Sequence, residues 1–195
     1  MNWMKKVAVA LVCLLPLGLQ AAKVDTLQVK SPSMNKSIEV VVVSPDVAAT
    51  KACPVIYLLH GYGGNARTWV GIKPDLSKIA DEKGIFFVCP DGKNTWYWDS
   101  PLNADVRYET FISDELVKYV DSHYKTVADR KGRAITGLSM GGHGAMWNGL
   151  RHSDVFSAAG STSGGVDIRP FPKNWEMSVQ IGEKAKYPEN WEQYT

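Results

Sequence analysis

Ser139 has a glycine two positions before it and another two positions after it, in Gly137-Leu138-Ser139-Met140-Gly141-Gly142-His143-Gly144-Ala145. A serine hydroxyl becomes an acyl-transfer nucleophile when it is lifted clear of the backbone and given donors for the oxyanion it creates. A sharp strand-to-helix turn does the lifting, and flanking glycines leave room where strand and helix pass closest. A bare Gly-x-Ser-x-Gly match arises by chance in roughly one chain in ten of this composition. The surroundings therefore carry the reading: apolar Ala134-Ile135-Thr136 precedes the turn, and a small-residue helical pattern follows it.

The oxyanion needs two donors. The backbone N–H of Met140, just after the nucleophile and at a helix N-terminus, is one candidate. The backbone N–H of Tyr62, in the glycine-rich His60-Gly61-Tyr62-Gly63-Gly64, is the other. His60, Gly61, Trp96, Tyr97 and Trp98 are candidates to line a substrate pocket, although His60 reads more simply as a brace for its loop and the three aromatics can equally be core or lid. A serine also needs a base and an acid that orients the base. His143 lies four residues past Ser139 on the same helical face, where it reads more simply as a packing residue behind the turn than as a base. Asp167 follows the next strand and is either the acid or an ordinary loop carboxylate. His123 and His152 read as surface or interface residues. The four histidines pair with no cysteine or carboxylate at ligand spacing, so no metal site is expected, and no Gly-Lys-Ser/Thr marks a phosphate loop.

These residues need a frame. Residues 24–30 and 37–44 are β-rich runs around a turn-forming Ser-Pro-Ser-Met-Asn-Lys, which predicts an antiparallel hairpin. The continuous apolar runs 54–59 and 85–89 predict strands covered on both faces. Residues 74–83 form a helical pattern with proline in the first turn and Gly84 at the end. Apolar residues from Tyr108 to His123 recur at three- and four-residue steps and predict a helix of about four turns. Strands at 134–136 and 156–161 flank the serine turn and its helix, and 166–195 is polar and proline-broken. Strand and helix alternating with buried strands predict an α/β fold: a mostly parallel sheet with helices on both faces and an N-terminal hairpin. Ligands in such a sheet sit beyond the carboxyl ends of the strands, where 60–64, 91–101 and the Ser139 turn converge.

Length and composition suit one globular domain. Lys5 and Lys6, the apolar run 7–19 and small Ala21-Ala22 have the layout of a secretory signal, with an uncleaved anchor as the alternative. Residues 1–22 are thus expected to be a signal peptide cut near Ala21 or Ala22, leaving 23–195 exported to the periplasm or beyond. Removing Lys5 and Lys6 takes the net charge from +2 to 0, which argues against nucleic acid or a stable membrane association as partner. Cys53 and Cys89 then remain, roughly 17 Å apart if their strands are parallel neighbours, and are expected to be free and buried.

Taken together, the 57–64 stretch, Pro90-Asp91-Gly92 with Trp96-Tyr97, the Ser139 segment and Gly160-Ser161-Thr162-Ser163-Gly164-Gly165 resemble the esterase D-like branch of α/β-hydrolases. That branch holds tributyrin, feruloyl and acetyl-xylan esterases, S-formylglutathione hydrolases and mycolyltransferases. The resemblance covers about residues 24–167. It implies a cofactor-free serine ester hydrolase acting on small-molecule or carbohydrate esters, with Ser139 as nucleophile and Tyr62 and Met140 as oxyanion donors. Family members carry the acid and then the histidine after further strands, beyond Thr195, so the sequence reads as C-terminally truncated, its final strands missing. An open sheet edge, low solubility and no turnover are expected of the 195-residue chain itself. The rival expectations are an acyltransferase of the same fold and a non-catalytic carbohydrate-binding or scaffold relative that has lost the triad.

Overall fold

The computed structural model describes residues 22–195. The expected signal peptide therefore lies outside the described residues, apart from Ala22. One six-stranded sheet runs in the order β1-β2-β4-β3-β5-β6. β1 (Lys23–Ser31) and β2 (Lys36–Ser44) form the N-terminal antiparallel hairpin, and β2 pairs antiparallel with β4 (Phe86–Pro90). β3 (Val55–Leu59) lies parallel between β4 and β5 (Arg133–Leu138), and β5 pairs parallel with β6 (Ala158–Thr162). The expected α/β fold is thus the observed one.

The alternation of side chains along β2 divides the core in two. Val40 and Val42 face one layer with Val55, Tyr57, Leu59, Val88 and Ile135, while Val41 and Val43 face the other with Leu58, Phe87 and Cys89. The helix over residues 108–123 covers the first layer. It begins as α3 (Tyr108–Thr110), passes through a π-helical stretch at Phe111–Glu115 and continues as α4 (Leu116–His123). The apolar period predicted this helix but not its widened turn. α5 (Met140–Arg151) packs on the same side through Ala145. The second layer lies under α2 (Leu76–Lys83), which ends at Gly84 with φ 63°, the left-handed conformation that glycine adopts cheaply. A short helix, α1 (Thr68–Ile72), was not legible in the sequence.

Cys53 and Cys89 are free and buried. β6 begins at Ala158 rather than at residue 156. Phe156 instead closes a turn by donating its N–H to the His152 carbonyl (3.0 Å) and sets its ring edge-on to Tyr57, 5.7 Å away. Beyond β6 lie a long loop and two short helices, α6 (Met177–Ile181) and α7 (Pro188–Gln193). No helix of the described residues is long and apolar enough to cross a membrane.

Candidate active site

Ser139 is the hinge between β5 and α5, with φ 54° and ψ −117°. That region costs a non-glycine residue about 1–3 kcal/mol and persists only where the surroundings impose it. The surroundings are two backbone approaches. A Cβ on Gly137 would lie 2.2 Å from the Gly141 carbonyl oxygen, and one on Gly141 would lie 2.2 Å from that of Leu59. Only glycine lets β5, α5 and the end of β3 meet there. The Ser139 N–H donates to the Thr162 carbonyl (2.9 Å), and its own carbonyl accepts from the His143 N–H (3.0 Å). The residue is exposed, and its hydroxyl makes no hydrogen bond among the described residues.

The loop that leaves β3 abuts this turn, since a Cβ on Gly61 would stand 3.4 Å from that of Ser139. The loop is tied down at almost every residue. The His60 ring takes the Gly61 carbonyl at Nδ1 (2.7 Å) and the Gly92 N–H at Nε2 (2.9 Å), and the Tyr97 hydroxyl donates to the His60 carbonyl (3.1 Å). Gly64 N–H closes the turn on Gly61 O (3.0 Å), and Gly63 N–H goes to Asn94 Oδ1 (2.9 Å). Asp91 Oδ1 is 3.5 Å from His60 Nε2, farther than the Gly92 N–H, so the backbone takes that ring nitrogen's lone pair. Burial by itself would raise the Asp91 carboxyl; the Lys93 ammonium (2.6 Å) and the Lys93 backbone N–H (2.9 Å) outweigh this and hold it well below the usual carboxylate range.

Tyr62, Trp96, Ser139, Met140, Ser163, Gly165 and Trp175 line one cleft of about 200 Å³. Ser139 and the two residues expected to supply oxyanion donors therefore share a single space. The Tyr62 N–H has no acceptor among the described residues, and Met140, as the first residue of α5, has no carbonyl of its own helix to bond. Larger clefts of about 380 and 720 Å³ occur elsewhere, and neither includes Ser139.

The remaining pocket expectations divide. Trp96 lines the cleft, whereas Tyr97 and Trp98 have no exposed surface and form its support. The Tyr97 ring fills the space where a Cβ on Gly92 or Gly144 would fall, at 2.1 and 2.4 Å, and Trp98 packs edge-on to His143. Those two glycines were the available sequence signal that a large ring is buried there. His60 is likewise buried and braces the loop rather than lining the cleft, and Gly61 packs against the Ser139 turn outside the lining. Trp175 and Ser163 were missed, because the 163–176 loop carries no periodicity. Trp175 and Glu176 both take positive φ, 49° and 54°, which nothing in their residue types announces.

No base stands beside Ser139 among the described residues. His143 donates from Nδ1 to the Gly165 carbonyl (2.7 Å) and accepts the Trp98 indole N–H at Nε2 (2.9 Å), leaving no free nitrogen. Burial lowers its pKa to about 4, against the pull of the Gly165 carbonyl, so the ring is neutral at ordinary pH. His152, at the far end of α5, pairs with Glu109 (2.9 Å), and His123, on α4, with the Tyr119 carbonyl (2.8 Å). Asp167 is exposed and engaged with Arg169 (2.9 Å). No group of three metal-ligating side chains is assembled among the described residues. The cleft thus brings together an exposed hydroxyl and two unengaged N–H groups, and among the described residues no free imidazole or carboxylate stands beside them.

A family model described as putative esterase matches residues 31–195. An esterase of Mycobacterium tuberculosis is 31% identical over 149 residues, covering 73% of this chain and 32% of its own length. An acetyl esterase of Caldicellulosiruptor saccharolyticus is 31% identical over 102 residues, covering 52% of this chain and 37% of its own. The chain thus spans about a third of the length of these curated relatives. Among solved structures, a ferulic acid esterase superposes with a TM-score of 0.70 at 30% identity, over 90% of this chain and 71% of the other.

Proposed function

This chain belongs to the putative esterase family, and from that premise we propose that the protein is an exported carboxylic ester hydrolase acting through an acyl-enzyme on Ser139. The observation that carries the reading is the cleft in which a strained, exposed Ser139 shares space with Tyr62 and Met140. Ser139 Oγ attacks the ester carbonyl carbon and gives its proton to a base. The carbonyl oxygen becomes an oxyanion between the Tyr62 and Met140 N–H groups. The C–O bond then breaks, the alcohol leaves with a proton, and water releases the acyl group by the reverse sequence.

Among the described residues the histidines and Asp167 are engaged elsewhere, so none of them is assigned as the base or its orienting acid. Acetyl or feruloyl esters of carbohydrates are the favoured substrates, supported by the names of the acetyl esterase and ferulic acid esterase relatives. Export rests on the signal-like layout of residues 1–22.

The test is hydrolysis of short p-nitrophenyl esters by the full-length gene product. Ser139→Ala is expected to lower turnover by about five to six orders of magnitude, as loss of a serine–histidine unit does elsewhere. Turnover in that variant at the wild-type rate would overturn the assignment.

A further inference from the structure

We propose that Asn94 is a positioning residue of the oxyanion loop and that Glu176 completes its setting; the inference rests on the reading of Ser139 as an ester-hydrolysing nucleophile. The Gly63 N–H needs an acceptor, so the amide atom 2.9 Å from it is the oxygen of Asn94. That assignment turns Asn94 Nδ2 toward Glu176 Oε2, 3.3 Å away, where it finds an acceptor in turn. The two contacts agree on one orientation of the amide.

Gly63 has φ 75°, in a region where glycine moves freely. Its neighbour Tyr62 bears the N–H that faces the oxyanion in the proposed mechanism. Asn94 holds this pair through the Gly63 backbone, and Glu176 in turn accepts from the Asn94 amide. Asn94 is itself well fixed. The Thr95 hydroxyl donates to the Gly92 carbonyl (2.6 Å), and Tyr97 and Trp98 anchor the following residues in the core. The site-side loop thereby inherits its position from buried packing, through one amide. Glu176 is set by its neighbour, whose carbonyl accepts the Trp96 indole N–H (3.1 Å). The charged group facing the amide is Glu176, which also lies near the Tyr62 hydroxyl, and the Lys93–Asp91 pair (2.6 Å) sits on the residues just before Asn94.

A donor displaced by a fraction of an ångström is felt in the transition state more than in substrate binding. Asn94→Ala is therefore expected to lower kcat about ten- to a hundredfold with KM changed less than about threefold. Asn94→Asp keeps an acceptor for Gly63 but sets two carboxylates against each other. Its deficit at neutral pH is expected to shrink as the pH falls and the pair takes up a proton. The double variant N94D/E176Q, with an amide donor facing the new carboxylate, is expected to recover kcat to within about threefold of wild type at neutral pH. Wild-type kcat in N94A, or no rescue of N94D by E176Q, overturns the proposal.

If wild-type protein turns over no ester, the hydrolase reading fails on its own and amide NMR decides this inference separately. In N94D the Gly63 and Tyr62 signals are expected to titrate together, with a midpoint above that of an ordinary carboxylate, and in N94D/E176Q the midpoint is expected to fall. Signals that ignore pH in both variants overturn it.

Discussion

The two walls of the Ser139 cleft are built differently. The wall on the β3 and β4 side, from His60 to Gly64 and from Asp91 to Trp98, hangs on buried groups: both nitrogens of His60, the Tyr97 hydroxyl, and the Tyr97 and Trp98 rings. The wall after β6 is mostly solvent-facing. Four of the five β6 residues are exposed, among the described residues the strand has a neighbour on one side only, and Trp175 is 46% exposed. It is held by His143 through the Gly165 carbonyl, by Trp96 through the Trp175 carbonyl, and by Asn94 through Glu176. In the proposed mechanism the Tyr62 N–H must be in place before charge develops, which accords with the buried support of the first wall. The second wall contributes Ser163, Gly165 and Trp175 to the cleft.

Trp98 and Trp175 give the sharpest contrast. Trp98→Ala removes a fully buried ring and the donor to His143, and is expected to cost about 3–5 kcal/mol of stability in denaturant unfolding. Trp175→Ala is expected to stay within about 0.5 kcal/mol while changing KM for ring-bearing esters, since the ring lines the cleft but is half in solvent. Equal costs would erase the distinction between the walls.

A smaller effect links the walls through His143. Its folded-state pKa, about 4, lies below the ordinary 6.5, so the unfolded chain binds the proton first as pH falls. Stability is therefore expected to decline between about pH 7 and pH 4, by up to on the order of 3 kcal/mol from this group. His143→Gln is expected to flatten that part of the profile while lowering stability at neutral pH. An unchanged slope would show that other groups set it.

The sequence made the sheet legible because buried parallel strands are long apolar runs, and the Ser139 turn legible because its glycines are forced by backbone contact. It was less informative about the cleft. Trp96, Tyr97 and Trp98 are adjacent and alike in type, yet one lines the space and two lie beneath it. Positive φ at Trp96 and Tyr97, 60° and 61°, decides which ring goes where, and that conformation is imposed by packing rather than by local propensity. Asn94, Trp175 and Glu176 act through loop contacts, which leave no period to read.

The nucleophile itself can be examined without choosing a substrate. Full-length protein treated with a fluorophosphonate is expected to gain one adduct, mapped by mass spectrometry to the peptide containing Ser139 and absent from Ser139→Ala. An adduct on a different residue, or one that persists in the variant, would contradict the assignment of Ser139 as the reactive hydroxyl.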